Sequence, residues 1–245
     1  MAETQHSTHG PTVIAIDGPA GAGKSAVGAA VAARLAYLYF DTGVLYRALT
    51  WQALRAGVDP GDADGLVALA TAAPAAVYPP TVADGRQYTV EIAGEDVTWA
   101  LRSPAVDANV SRVSAHGAVR DILVAQQRRI AAAGRVVMVG RDIGTVVLPD
   151  APLKVYLDAA VEARAERRLK EQAAQGLAPS YTTLLEEIRR RDAIDSGRAV
   201  APLRPAADAV IIDTTAMTIA QVVERVLALA EQRAAAGEGR MIGQD

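Results

Sequence analysis

The chain has no cysteine among its 245 residues and only three histidines, two of them within the first nine residues. The absence of thiols excludes disulfide bonds and thiolate zinc sites, and so few histidines leave no histidine-based metal site. Aromatic residues are also scarce, at 4% of the chain with a single Phe. The core must therefore be built mainly from Ala, Val, Leu and Ile, for which the 51% hydrophobic content is sufficient.

An excess of positive charge is lacking as well: 25 Lys and Arg residues against 28 Asp and Glu residues give a net charge of −3. Proteins that bind the phosphate backbone of nucleic acids usually carry a strong basic excess, so we expect no nucleic-acid partner. No apolar run approaches the roughly 18 residues that span a membrane, and the polar residues 1–10 lack the apolar stretch of a signal peptide. The sequence therefore predicts a cytoplasmic protein with no membrane partner.

Short apolar runs alternate with helical patterns along the chain. Five runs rich in β-branched residues are typical of strands buried on both faces of a parallel sheet, and they cover residues 12–17, 38–41, 135–140, 153–158 and 209–213. Helical patterns cover residues 24–35, 45–56, 159–175, 182–193 and 218–233, and residues 104–133 indicate two helices broken near Gly117. The alternation predicts an α/β fold with a doubly wound, parallel five-stranded sheet. We expect residues 1–11 to form a disordered leader and residues 234–245 a disordered tail.

Residues 75–97 interrupt this alternation. They contain a Pro-Pro pair, the turn signal Asp84-Gly85 and the alternating run QYTVEI. Such a pattern predicts a small antiparallel β subdomain inserted into an α/β core that would comprise residues 12–74 and 98–233.

The strongest motif lies between the first predicted strand and the first predicted helix. It fits the pattern G-x-x-x-x-G-K-[ST] and consists of Gly18, Pro19, Ala20, Gly21, Ala22, Gly23, Lys24 and Ser25. Glycines let consecutive backbone N–H groups converge on phosphate oxygens, and the helix that begins at Lys24 adds the positive end of its dipole. Lys24 would reach the β- and γ-phosphates of a bound nucleotide, and the Ser25 hydroxyl would ligate Mg²⁺. The motif by itself therefore predicts a site for a nucleoside triphosphate, with Mg²⁺ as cofactor.

Nucleotide binding alone does not define the reaction. A GTPase usually needs an N-K-x-D loop that reads the base, and the sequence contains none. An ATPase motor would show an apolar strand ending in Asp-Glu, whereas the third predicted strand leads into Gly140, Arg141 and Asp142. A small-molecule kinase is therefore the leading class.

Several further motifs, in one order, resemble those of bacterial cytidylate kinases over roughly residues 13–229. They are Asp41-Thr42-Gly43, Tyr46-Arg47, the run GRDIGTVV from Gly140 to Val147, and Arg191-Asp192 followed by Asp195, Arg198 and the run AVAPL. The inserted segment resembles the extra substrate-side domain of the longer bacterial members. The resemblance implies a P-loop nucleoside monophosphate kinase that transfers the γ-phosphate of ATP to CMP or dCMP, and it suggests a monomer.

The resemblance assigns recognition of the base to three side chains. Cytosine offers an exocyclic amine as donor, and O2 and N3 as acceptors. Asp142 would accept from the amine, while Arg120 and the Thr42 hydroxyl would donate to the acceptor edge. Uracil has a carbonyl in place of the amine, so it would face Asp142 with no hydrogen to share. Tyr46 would pack against the same substrate pocket.

The acceptor phosphate needs cations, and the resemblance assigns them to Arg47, Arg141 and Arg198, whose planar forks suit phosphate oxygens. It assigns the sugar hydroxyls to Asp195, with Arg191 close by, and Ser111 is a further candidate near the sugar. Phosphoryl transfer depends on alignment and charge neutralisation, and an acceptor phosphate already ionised at pH 7 needs no general base. The predicted catalytic residues are therefore Lys24, Arg141 and Arg198.

Two interpretations stay open for the arginines after the fourth predicted strand. Arg164, Arg167 and Arg168 lie on one face of their helix. By analogy with related kinases, residues 159–176 would form a lid over ATP, with Arg164 and Arg168 as ATP-binding residues. The alternative is a solvent-exposed face that pairs with the neighbouring glutamates Glu162, Glu166 and Glu171. Asp41 is open in the same way, between a place near the metal and a structural role in the turn that follows it.

Two other functions also stay open. One is a related P-loop kinase with a different acceptor such as UMP, against which the pairing of Arg120 with Asp142 argues. The other is a non-catalytic nucleotide-binding regulator. A switch protein has no need for a second phosphate site, so the arginine set argues against that function.

Overall fold

Five parallel strands form the central sheet of the computed structural model, which describes residues 10–241 apart from 175 and 199 and, for residues 237–241, the backbone only. The strands along the chain are β1 (Val13–Asp17), β2 (Leu38–Asp41), β3 (Ala76–Tyr78), β4 (Thr89–Ile92), β5 (Glu95–Asp96), β6 (Val136–Val139), β7 (Leu153–Asp158) and β8 (Val210–Asp213). The parallel sheet has the order β2-β6-β1-β7-β8. Its five predicted strands are confirmed, each to within one residue at either end.

Helices cover both faces of this sheet. They are α1 (Lys24–Leu35), α2 (Gly43–Ala56), α3 (Ala63–Ala72), α4 (Pro104–Val113), α5 (Gly117–Ala131), α6 (Val161–Ala174), α7 (Tyr181–Ser196) and α8 (Ile219–Met241). A 3₁₀ turn at Ala100–Arg102 and a π-helical turn at Ile143–Val147 complete the elements. Within the described part of the chain, none of the helices is both long enough and apolar enough to cross a membrane.

The strands are apolar on both sides because each face of the sheet is packed. Ile14 and Ile16 of β1 belong to an apolar cluster with residues of α1 and α8. Ala15 belongs to the cluster on the opposite face, which includes residues of α2, α3 and α5. Burial on both faces accounts for the nearly continuous apolar runs, and it confirms the doubly wound α/β fold.

The inserted segment forms the expected antiparallel sheet, in the order β3-β4-β5. Val90 and Ile92 of β4 are buried in the cluster that also contains residues of α2 and α5, so the small sheet packs on the core. Tyr88, just before β4, stacks on Tyr39 of β2 with ring centroids 6.3 Å apart. The antiparallel insert is confirmed, while the subdomain boundaries stay a prediction.

Two helical features differ from the expectations. α3 was not predicted; it buries only Leu66 and Ala70, so its apolar stripe is narrow. α8 continues past the predicted end at residue 233 to Met241, so the expected disordered tail is corrected for residues 234–241. Three consecutive alanines after Arg233 favour this extension because alanine is the best helix former. Residues 1–9 of the expected leader, and residues 242–245, lie outside the described residues.

Candidate active site

The predicted phosphate loop connects β1 to α1 at the carboxyl edge of the parallel sheet. Gly18 has φ +146°, and a Cβ at this position would lie 2.0 Å from the carbonyl oxygen of Leu157. Gly23 has φ +90° and precedes the first residue of α1. Residues other than glycine rarely adopt such backbone angles. The strand, loop and helix that the motif requires are therefore all present.

Lys24 bends back over this loop. Its Nζ donates to the carbonyl oxygen of Pro19 at 2.7 Å, and the side chain is buried. Burial lowers the pKa of Lys24, and the nearby Arg141 guanidinium lowers it further. A bound polyanion would offset this repulsion between cations, so the amine is suited to neutralising phosphate oxygens.

Ser25 and Asp41 bring two oxygen ligands together beside the loop. The Ser25 hydroxyl donates to Oδ2 of Asp41 at 3.3 Å, and Oδ1 of Asp41 accepts from the backbone N–H of Gly43 at 3.0 Å. Asp41 therefore caps the turn and also faces the predicted metal ligand. Hydroxyl and carboxylate oxygens are the hard donors that Mg²⁺ prefers, so the residues present fit this ion. In the described residues no group of three or more His, Cys, Asp or Glu side chains is arranged to hold a metal, so Mg²⁺ would need phosphate oxygens as further ligands.

The predicted base-recognition residues lie together at the end of β6. Arg120 of α5 forms a buried ion pair with Asp142, and the Arg120 guanidinium carbon lies 5.6 Å from the centre of the Tyr46 ring. The Thr42 hydroxyl donates to the carbonyl oxygen of Val139 at 3.0 Å. Burial raises the pKa of Asp142, and the Arg120 guanidinium opposes that increase. The structure thus brings a donor and an acceptor together in one buried, low-dielectric environment.

Asp195 of α7 is the centre of the predicted phosphate and sugar cluster. It is only 2% exposed, its Oδ2 accepts from Nε of Arg141 at 3.0 Å, and its Oδ1 accepts from Nη2 of Arg198 at 2.6 Å. Arg191, one turn earlier on α7, has its pKa lowered by burial and by the Arg141 guanidinium. One carboxylate therefore holds two of the predicted catalytic arginines, in surroundings with an excess of positive charge.

Arg47 of α2 contacts the elements that follow the insert. It donates to the carbonyl oxygen of Leu101 at 3.1 Å and forms an ion pair with Asp107 of α4 at 2.7 Å. Its charge also contributes to lowering the pKa of Arg191. The third predicted phosphate-binding arginine therefore lies within electrostatic reach of the cluster around Asp195.

Ser114, which the sequence analysis did not identify, makes the contacts expected of a site residue at the end of α4. Its hydroxyl accepts from Nη2 of Arg198 at 3.4 Å, and its carbonyl oxygen accepts from Nη1 of Arg120 at 3.4 Å. Ser111, the predicted candidate, contacts this residue through its carbonyl oxygen, which accepts from the Ser114 hydroxyl at 3.1 Å. The break between the two helices near Gly117 was the available signal for Ser114, because a chain reversal exposes backbone carbonyls.

The two predicted ATP-binding arginines of the lid differ in their surroundings. Arg164 is buried, donates to the carbonyl oxygen of Ala20 at 3.1 Å and forms a bidentate pair with Asp192 of α7. Arg168 is exposed and lies 3.6 Å from Glu171. Arg164 thus contacts the phosphate loop itself, whereas Arg168 has the solvent-exposed pairing that was the alternative.

The family model described as cytidylate kinase matches residues 14–232. The chain belongs to the cytidylate kinase family. The cytidylate kinase of Herpetosiphon aurantiacus is 52% identical over 219 residues, which cover 89% of this chain and 94% of that protein. The cytidylate kinase of Mycobacterium avium is 50% identical over 90% of this chain and 96% of that protein. The resemblance drawn from the sequence motifs is confirmed.

In this member of the cytidylate kinase family, the two halves of the site follow neighbouring strands. β1 leads into the phosphate loop and β6 leads into Arg141 and Asp142, and the two strands pair in parallel. Ligands of doubly wound sheets bind outside the carboxyl ends of the strands, where both segments lie. The roles of the individual side chains in binding stay predictions.

Proposed function

We propose that this protein catalyses the reversible transfer of the γ-phosphate of ATP to CMP or dCMP, giving ADP and the cytidine diphosphate. Membership of the cytidylate kinase family supports this reaction class. The observation that carries the choice of acceptor is the buried Arg120–Asp142 pair at the end of β6. Asp142 follows Gly140 by two residues, and a Cβ on Gly140 would lie 2.8 Å from the Thr42 hydroxyl, so Thr42 lies beside the same segment.

The chemistry of this pocket favours cytosine over uracil. Asp142 is an acceptor when ionised and matches the exocyclic amine of cytosine, while Arg120 and Thr42 are donors for O2 and N3. Uracil would place its O4 carbonyl against the carboxylate. A buried polar group left without a partner costs on the order of 1–3 kcal/mol, so we propose discrimination of about tenfold or more.

Transfer itself requires that the two substrates be aligned and their charge neutralised. Lys24 is positioned at the phosphate loop, and Arg141 and Arg198 converge on Asp195 beside it. These cations would screen the repulsion between the ATP phosphates and the acceptor phosphate, whose oxygen is already ionised and needs no general base. Ser25 and Asp41 carry the oxygens that would hold Mg²⁺, and this ion, when bound, supplies further charge neutralisation at the β- and γ-phosphates.

Exclusion of water would fall to α6, as the lid, and to the inserted sheet. Arg164 links α6 to the phosphate loop through Ala20, and Tyr88 links the insert to β2 through Tyr39. Closure of such elements around both substrates would prevent transfer of the phosphate to water. The monomeric state, the cytoplasmic location and the absence of a nucleic-acid partner stay predictions.

An ADP-release assay with ATP and Mg²⁺ tests this proposal by comparing CMP, dCMP, UMP and AMP as acceptors. We expect CMP and dCMP to lead, with UMP at least about tenfold lower in kcat/KM, which is about 1.4 kcal/mol. Lys24→Ala should abolish transfer to every acceptor, whereas Arg34→Ala, which alters an exposed pair with Glu224, should not. If no nucleoside monophosphate is phosphorylated, the proposal is wrong, and the alternative of a regulator would then be supported by stabilisation with ATP alone.

A further inference from the structure

Asp17 is a buried carboxylate to which the mechanism above gives no role. It is the last residue of β1, immediately before Gly18 of the phosphate loop, and is 4% exposed. Its Oδ1 accepts from the backbone N–H of Ile143 at 2.8 Å, and its Oδ2 accepts from the backbone N–H of Gly144 at 2.7 Å. Both carboxylate oxygens therefore bind the turn that directly follows Asp142.

We propose that Asp17 is a positioning residue, which fixes the segment bearing Arg141 and Asp142 from the ATP side of the site. This inference rests on the proposed function, because that segment is where the acceptor would bind. Ile143 and Gly144 are the first two residues of the π-helical turn, and the first N–H groups of any helical turn have no partner within it. Asp17 supplies that partner from β1, the strand that pairs with β6.

Neighbouring contacts show why this turn needs an external support. The chain leaves β6 at Gly140, whose N–H still donates to the carbonyl oxygen of Ile16 at 3.0 Å. After that bond, Arg141 and Asp142 bridge to the π-helical turn outside the sheet. A Cβ on Gly144 would lie 3.4 Å from Oδ2 of Asp17 and 3.1 Å from Cδ of Lys154. The Asp17 carboxylate therefore packs closely against the backbone of the turn at Gly144.

The two hydrogen bonds are of the strong, charge-assisted kind. An ionised carboxylate that accepts from backbone N–H groups makes bonds roughly twice as strong as neutral ones. Because β1 also carries the phosphate loop, the same residue couples the position of the acceptor-side turn to that of the ATP-side loop. Loss of one bond would let Arg141 and Asp142 move while leaving the loop glycines in place.

Asp17→Asn tests the inference because it preserves the shape but presents an NH₂ group to one of the two N–H groups. We expect the KM for CMP to rise at least about tenfold, as for the loss of a charge-assisted hydrogen bond. The dissociation constant for ATP, measured without acceptor, should stay within about threefold. Val226→Ala is the control, since it removes buried volume from α8 on the opposite face of the sheet. It should lower the melting temperature without raising the KM for CMP.

Two outcomes would overturn the inference. One is an equal change in the affinities for ATP and CMP in Asp17→Asn, and the other is a lower melting temperature with an unchanged KM for CMP. Should the variant fail to fold, hydrogen exchange in the wild-type protein decides: slow exchange of the Ile143 and Gly144 amides without nucleotide supports the inference, and exchange at the rate of an open loop contradicts it. Failure of the proposed function is separate, because it would appear as wild-type protein that does not phosphorylate CMP.

Discussion

The guanidinium of Arg120 and the carboxylate of Asp142 form an ion pair in which the two side chains are only 5% and 10% exposed. Removal of one partner from a buried pair leaves an uncompensated charge and typically costs about 3–5 kcal/mol, whereas replacing both partners with apolar groups is often neutral. Each partner is therefore needed for stability only while the other is present, and the pair is also a candidate for base recognition, so these two roles can be separated.

Variants at this pair should separate stability from activity. We expect Arg120→Met to lower the free energy of unfolding by about 3–5 kcal/mol in urea titrations. The double variant Arg120→Met with Asp142→Leu should recover most of that loss, while its kcat/KM for CMP stays near the level of the single variant. Recovery of activity along with stability would show that the pair does not read the base.

The selectivity between CMP and UMP should depend on pH. Burial raises the pKa of Asp142, while the Arg120 guanidinium opposes the increase. The Asp142 carboxyl therefore becomes protonated at a higher pH than a solvent-exposed carboxyl beside the same arginine would. A protonated Asp142 can donate to O4 of uracil. We expect the ratio of kcat/KM for CMP over UMP to decrease as the pH is lowered from neutrality.

Asp142→Asn provides the matched variant for this test, since its amide donates at every pH. Its CMP-to-UMP ratio should be low and independent of pH. A wild-type ratio that stays constant, together with an unchanged ratio in the variant, would remove Asp142 from base recognition.

The stability of the protein should also report the titration of Asp17. Burial, with a smaller contribution from Asp142, raises the pKa of Asp17 from an ordinary 3.8 to about 6, against the opposing backbone N–H groups and Lys24. Between these values the folded protein binds the proton more tightly than the unfolded chain does. The contribution of this group to stability is therefore largest below the unfolded pKa and decreases, by about 3 kcal/mol, as the pH rises to about 6.

Urea titrations of the wild-type protein and of Asp17→Asn, from about pH 4 to about pH 8, measure this effect. The free energy of unfolding of the wild type relative to the variant should fall through the lower half of that range and then level off. A difference that does not vary with pH would place the pKa of Asp17 at its ordinary value.

The two lid arginines should respond differently to substitution. Arg164 has a side chain that is 5% exposed and binds both Asp192 and the carbonyl oxygen of Ala20, so Arg164→Met should lower the free energy of unfolding by about 2–4 kcal/mol and raise the KM for ATP. The exposed pair of Arg168 with Glu171 contributes less than about 1 kcal/mol. Arg168→Ala should therefore leave the melting temperature unchanged.

The KM for ATP of Arg168→Ala then tests its predicted role in the lid. An increase at constant melting temperature is the expected result, and Arg189→Ala, which alters another exposed pair with Glu162, is the control. If the two variants behave alike, Arg168 belongs to a solvent-exposed face and has no function in ATP binding.

Arg86 should control the order of the inserted sheet. Its side chain is 6% exposed and pairs with Asp84 at 2.7 Å and with Asp96 at 2.5 Å, and Nε1 of Trp99 donates to the same Asp84. We expect Arg86→Met to increase hydrogen exchange in residues 79–98 while exchange in β1, β6 and α1 stays as in the wild type. Arg55→Met, which alters an exposed pair with Glu95, should have no such effect. A uniform increase over the whole chain would instead show that the insert and the core unfold together.

The phosphate loop, the five buried strands and the family followed from the amino-acid sequence because their signals are local. A motif such as the one from Gly18 to Ser25 specifies its own backbone through glycine angles and a helix start within eight residues. Apolar runs likewise identify strands through contacts that any covered sheet would provide. The end of α8 shows where such local signals fail, because a single glycine after three alanines is too weak a signal to end a helix.

The tertiary structure alone decided which side chains meet. Asp17 binds amides 126 and 127 residues away, and Arg141 binds Asp195 over a separation of 54 residues. Such contacts depend on the order of strands in the sheet and on the angle at which α7 packs, neither of which local sequence specifies. For the same reason, local sequence did not predict that Ser114 contacts Arg198 or that the buried Arg164 contacts the phosphate loop. The types of side chain at the candidate site could be predicted from the sequence, whereas the residues that these side chains contact are determined only by the tertiary structure.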